Sequence, residues 1–257
     1  MMKSDDIGTY AWSERTKGIL DPGERHALVG MLVMTQVTEL FDKLLGAMGR
    51  RQAPVEMDRI IVPDTAICKE AEEQAAAMYP EDLHVHCYRT YYLGSLLGQA
   101  FGLRWDPEAL YVGCLLHDSG LSDTHAAKTA DTGFQIVGAR VARDLALRHG
   151  WQEPEARALY ESISLHLNPY LPRSRWAPEA ILVKGGAVMD VIGSYRHRIP
   201  HQQLSKVHAA YPRTGFKRHI VTSITETPHA QHTHAHFLCR CGFADLAEKN
   251  PLDNDWA

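Results

Sequence analysis

No stretch of the chain approaches the ~20 consecutive apolar residues that a membrane-spanning helix needs, so no membrane partner is expected. Cysteine is scarce: five in 257 residues. The number is odd and the spacing is not that of a disulfide framework, which points to reduced thiols and a cytoplasmic setting. Met1 to Tyr10 is polar and lacks the apolar run of a secretory signal. Excess positive charge is missing too. The formal net charge is -4, whereas a nucleic-acid binder normally shows a basic patch or stripe. Neither a P-loop nor a glycine-rich dinucleotide fingerprint occurs, so no organic cofactor is expected. Strand signals are nearly absent: no alternation of period two runs beyond a few residues, and there is no internal repeat.

Helical periodicity is what the chain does have. Hydrophobic residues make up 45% and charged residues 23%, as in an ordinary globular protein. After a lead-in over 1–22 anchored by Trp12, an amphipathic helix is expected over 23–48, then a loop over 49–64 with a short extended piece at Ile60-Ile61-Val62. Asp64 or Thr65 caps the next helix, which stops at Pro80. Further helices fit 83–102, 107–118, 133–149, 154–167, 178–192, 199–210, 216–226 and 229–248. The expected fold is all-α, a compact helical bundle in one domain over 1–257. Its core spans 63–220, with helical extensions at 1–62 and 221–257.

Ionisable side chains on apolar helical faces direct attention to chemistry. Leu110-Tyr111-Val112-Gly113-Cys114-Leu115-Leu116 runs straight into His117-Asp118. A helix apolar nearly all round belongs inside the protein, and two ionisable groups at its end are costly unless paired or bound to a metal. His86, His166 and Asp190 each interrupt an apolar helical face as well. One such residue reads as a satisfied core polar group; five on four helices are more simply explained by a shared metal. Imidazole with carboxylate suits zinc, iron or manganese better than calcium or magnesium.

His86, the adjacent His117–Asp118 and the distant Asp190 follow the order of the HD-domain metal-dependent hydrolases, which the sequence resembles. Pro63-Asp64-Thr65-Ala66, His86-Cys87-Tyr88-Arg89-Thr90-Tyr91-Tyr92-Leu93-Gly94, Leu115-Leu116-His117-Asp118-Ser119-Gly120-Leu121-Ser122, Phe134 with Gly138-Ala139, the Ile163–His166 turn and Tyr211-Pro212-Arg213-Thr214-Gly215-Phe216-Lys217 look like the cyanamide hydratase branch. The resemblance covers roughly residues 60 to 220. It implies one Zn²⁺ or Fe²⁺, with Mn²⁺ also suited, held by His86, His117, Asp118 and Asp190. It also implies catalytic work by Asp118 and His166. Arg89 is expected to orient or support the site, and His125, Lys128 and Phe134 are candidates for touching substrate.

The implied reaction adds water to the C≡N group of a small uncharged molecule, cyanamide to urea being the leading instance. A phosphohydrolase acting on nucleotides or phosphate esters uses the same metal set. However, many such members carry a Lys three residues after the Asp, where this chain has Leu121. A two-iron oxygenase, with His166 and His125 or His149 on a second ion, and a non-catalytic binding protein complete the alternatives. His149, before Gly150 at a helix end, reads as structural. His229, His232, His236 and Cys239 share one face if they are helical and would then offer a second metal site; a plain polar helix face is the simpler reading. The 23–48 helix packs either on its own core or on a second copy, so a homo-oligomer is possible.

Overall fold

Every regular element among the described residues is helical, as the lack of alternation requires. The computed structural model describes residues 7–47, 54–129, 131–226 and 229–256. The polar start over 1–6 and residues 49–53 of the expected loop lie outside the described residues. In chain order the α-helices are α1 (Tyr10–Thr16), α2 (Pro22–Ala47), α3 (Ala66–Met78), α4 (Glu81–Phe101), α5 (Pro107–Leu116), α6 (Ala126–Thr129) and α7 (Phe134–Arg148). They continue with α8 (Glu153–Ser164), α9 (Pro178–Ile192), α10 (His201–Ala210), α11 (Phe216–Glu226), α12 (His234–Arg240), α13 (Phe243–Glu248) and α14 (Asp253–Trp256). Ile60-Ile61-Val62, expected as a short extended piece, joins no sheet; it leaves a turn of 3₁₀ helix at Met57–Arg59.

Local chemistry sets the boundaries. Asp106 caps α5 by accepting from the backbone N–H groups of Glu108 (2.9 Å) and Ala109 (3.4 Å), with Pro107 at the first helical position where its missing N–H costs nothing. The lead-in is anchored as expected. Trp12 is buried, and its indole N–H donates to Glu24 Oε1 at 2.7 Å, tying α1 to the start of α2.

The antiparallel pair α4 and α9 forms the centre. Their contact has a strict register: Gly94 faces Leu182, Thr90 faces Gly186, and one turn further His86 faces Asp190. A Cβ at Gly186 would lie 2.1 Å from the Thr90 carbonyl oxygen, and one at Gly94 would lie 2.7 Å from the Leu182 carbonyl oxygen. Glycine on both sides therefore lets the two backbones come into direct contact, with no side chain between them. Around this pair, α5 lies buried on every described face, as its all-round apolar sequence demands.

The single helix expected over 229–248 is corrected. Residues 229–233 are not helical, α12 starts at His234, and Gly242 at φ +81° breaks the chain before α13. His232 itself has φ +66°.

Candidate metal centre

His86 comes from the first turns of α4, while His117 and Asp118 come from the end of α5, where the helix stops at Leu116. His117 keeps a helical backbone as the C-cap and Asp118 turns away at φ -100°, ψ 11°, so the two adjacent side chains converge. One ligand atom from each of His86, His117 and Asp118 lies within 4.8 Å of the other two, and all three residues are buried. Asp118 Oδ2 is 3.6 Å from His86 Nε2 and 3.3 Å from His117 Nε2. His166, in the turn just after α8, brings its Nε2 to 4.0 Å from Asp118 Oδ1.

What the other nitrogen of each ring does decides whether this cluster suits a metal. His117 Nδ1 lies 2.7 Å from the Cys114 carbonyl oxygen, and His166 Nδ1 lies 2.7 Å from that of Ile163. A carbonyl only accepts, so both Nδ1 atoms carry the proton and both Nε2 lone pairs face Asp118. His86 Nδ1 meets Asp190 Oδ2 at 2.6 Å, which sets the same tautomer. Three imidazoles with Nδ1–H anchored and Nε2 presented is the support that metal-bound histidines have. Burial pushes the His117 imidazole down to about 4 despite the Asp118 carboxylate beside it, and burial lowers His166 too. Both rings are neutral near pH 7, as a ligand must be.

Asp190, expected from the sequence among the ligands, lies behind His86. An imidazole's two nitrogens point to opposite edges of the ring, so a carboxylate on Nδ1 is across the ring from the Nε2 cluster. Its oxygens are already engaged: Arg89 Nε donates to both at 2.9 Å, and Arg213 Nη1 donates to Oδ1. Burial alone would raise this carboxyl, but Arg89, Arg213 and His86 outweigh it and hold the group well below the usual carboxylate range. Arg213 also binds Asp253, and its Nη1 and the Asn250 amide donate to the Asp190 backbone carbonyl (2.9 and 2.7 Å). Phe216 stacks on the His86 ring with centroids 4.7 Å apart, and the Arg89 guanidinium lies 4.6 Å from the Phe216 ring centroid.

A cavity of about 130 Å³ opens onto the cluster. His86, His117, Asp118 and His166 form one end, and Leu121, Phe134, Val188, Val191 and Ile220 are among its mostly apolar walls. Leu32, Thr35, Gln36 and Glu39 of α2 wall it from another side. Lys184 is the one Lys or Arg among the described lining residues, and its ammonium donates to the Tyr195 hydroxyl at 3.2 Å.

Of the remaining expected residues, Phe134 reaches the cavity, with its ring 5.7 Å from that of His166. His125 and Lys128 do not line it, and Lys128 is exposed. His149 pairs with Glu70 at 2.7 Å, away from the cavity. His229 and Cys239 line the cavity, whereas His232 meets Arg25 and is exposed. The helical face that was to join them does not form, because the turn at 229–233 separates His229 and His232 from α12. Arg213, Asn250 and Lys184 were not singled out for the site from sequence. Arg213 stands in the quoted Tyr211–Lys217 segment, but a lone arginine in a loop has no periodicity to mark what it binds.

No curated protein matches the chain. The model of the HD domain family matches residues 83–192, a span that begins at the start of α4 and ends with α9 and so contains His86, His117, Asp118, His166 and Asp190. That span holds the buried His86, His117 and Asp118, whose ligand atoms are close enough together to hold a metal ion.

Proposed function

We propose that the protein is a metal-dependent hydratase of small, uncharged nitrile-like molecules, as its resemblance to cyanamide hydratases suggests. The observation that carries this reading is the cavity: apolar walls reach up to the metal cluster, Leu121 stands in the wall, and a single ammonium, Lys184, lines it and donates to the Tyr195 hydroxyl. A phosphate ester brings at least one full negative charge, and beyond a bound ion only Lys184 among the described lining residues offers a cationic side chain to repay its desolvation. A neutral C≡N compound meets no such cost.

His86, His117 and Asp118 hold the ion. When bound, a divalent ion lowers the pKa of water from about 15.7 toward neutrality and supplies a nucleophile at physiological pH. His86, His117 and Asp118 themselves line the cavity, so a substrate bound there would lie beside an ion that they held, unlike in a closed structural site. In the reaction the water oxygen forms a bond to the nitrile carbon, one C–N π pair moves onto nitrogen, and that nitrogen takes a proton. A second proton shift from oxygen to nitrogen gives the amide, or urea from cyanamide, with no other reactant consumed. Asp118 Oδ1 and His166 Nε2, 4.0 Å apart on residues that line the cavity, would carry these protons. Leu121 and Phe134 exclude bulk water and limit the size of what enters. Asp190, Arg89 and Arg213 hold His86 from behind.

The test is direct. Purified protein loaded with Zn²⁺ or Fe²⁺ is incubated with cyanamide and urea is measured, alongside phosphate release from a panel of nucleotides. Urea formation that is lost with a chelator supports the proposal; phosphate release without urea overturns it.

A further inference from the structure

Helix α2 carries a seam of large apolar side chains that its own chain leaves in solvent. Val33, Met34, Val37, Leu40, Phe41 and Leu44 are 44–61% exposed. Residues 33, 37, 40 and 44 alternate steps of four and three, the spacing of a helix–helix seam, and 34 and 41 widen it on one side. The opposite side of α2 is already used: Leu28 is buried, and Leu32, Thr35 and Glu39 wall the cavity.

Gly30 extends the same seam by one step toward the N-terminus. A Cβ placed there would meet nothing within 4 Å. Glycine inside a helix is unfavourable, and nothing in its own chain requires one at this position. A second backbone passing close by would.

Size and charge select the occupant. Six large side chains at about half exposure offer roughly 500 Å² of apolar surface, the upper range for a patch on a monomer. With the backbone around Gly30 and a polar rim, the patch approaches the roughly 800 Å² per partner of a standard specific interface. From Ala27 to Phe41 the one charged residue is Glu39, which faces the cavity. A charged partner therefore finds no complement here. A membrane surface would call for several Lys and Arg along the polar flanks of the helix; α2 has two, Arg25 and Lys43 toward its ends, and Arg25 is engaged by His232. A second copy of this chain presents the same uncharged seam and is its own complement under two-fold symmetry.

We infer that the protein forms a homodimer in which α2 packs seam to seam against α2 of a second copy, with the backbones in close approach at Gly30. Because the other side of α2 walls the cavity, the same contact holds that wall in place.

The full chain is examined by sedimentation velocity from about 1 to 50 μM. A dimer is expected, and V37E/L40E should weaken association by at least about 100-fold while circular dichroism stays unchanged. Gly30→Leu should weaken it by at least about tenfold; on an open helix face it would leave the mass unchanged. If the double variant loses helical signal, Gly30→Leu carries the test. A wild-type monomer across the range, or dimers indifferent to both changes, overturns the inference. So does a monomer that co-sediments with phosphatidylcholine/phosphatidylglycerol vesicles, which assigns the seam to a lipid surface.

Discussion

Gly186 on α9 touches the carbonyl oxygen of Thr90 on α4 so closely that a single Cβ would lie 2.1 Å from it. That contact sits one turn from Asp190 and His86, so it fixes how far the carboxylate stands from the ring it supports. Gly186→Ala forces backbone against backbone, with no flexible side chain to give way. A loss of about 1–3 kcal/mol of stability is expected, the usual range for an overpacked core. Metal affinity should fall with it as Asp190 moves off His86. Thermal melting and a zinc titration of the same samples check both; a variant as stable and as tight as wild type contradicts the close packing.

Asp190 answers two buried guanidinium groups and one imidazole at once. Asp190→Asn keeps the shape but removes the charge. Arg213 keeps Asp253, but Arg89 is then left as a buried cation without a carboxylate, a defect that typically costs about 3–5 kcal/mol. His86 loses a charged acceptor on Nδ1, and loss of such a support lowers metal affinity by about 10–100-fold. Denaturant melts and competition with a chromophoric chelator read the two effects separately. An unchanged zinc affinity would show that Asp190 does not support His86.

Much of this architecture was legible in the residues. The cap at Asp106-Pro107, the all-round apolar α5 and the bounds of α9 are local properties, and the structure keeps them. His86, His117 and Asp118 stood out because each breaks an apolar face, and burial brings them together. What sequence could not supply was direction. Asp190 and His86 do meet, as the ordered pattern suggested, but the ring edge facing the carboxylate depends on how α9 packs on α4. The engagement of Asp190 by Arg213 depends on a loop whose course has no period. The 229–248 segment misled because its histidines fall on one face only if the helix is continuous, and the αL conformation at Gly242 and the turn before His234 interrupt it.

His117 and His166 look alike by composition and burial but differ in position. His117 belongs to the group whose ligand atoms lie within 4.8 Å of one another, while His166 faces the far oxygen of Asp118 at 4.0 Å. His117→Ala is expected to abolish stoichiometric metal binding. His166→Ala should keep the metal within a fewfold of wild-type affinity and lower kcat by about 10²–10⁴, the usual contribution of a positioned proton carrier. Metal content by elemental analysis together with steady-state urea production separates the two. Loss of metal from His166→Ala would make it a ligand instead.

Two buried histidines outside the cluster add to the acid sensitivity of the fold. Neither ring nitrogen of His208 has a hydrogen-bond partner among the described residues, and burial lowers this imidazole to about 4. His234 is held between Asn168 Oδ1 at 2.9 Å and the Gln135 amide at 3.3 Å, and burial lowers it to about 3. In the unfolded chain both titrate near 6.5. Below that pH the unfolded state binds protons that the folded state does not, so stability falls as pH falls, by up to about 1.4 kcal/mol per pH unit for each ring. The loss begins near pH 6.5 and runs on until the folded-state values are reached, near pH 4 for His208 and pH 3 for His234. Urea melts of the metal-free protein between pH 7.5 and 5 should show this slope. His208→Phe, which fills the site beside Trp256 without a titratable nitrogen, should flatten it by about one proton. A slope identical to wild type would mean that His208 is protonated in the fold, a charge that its buried position beside Arg213 and Arg89 opposes, though Asp190 partly offsets them.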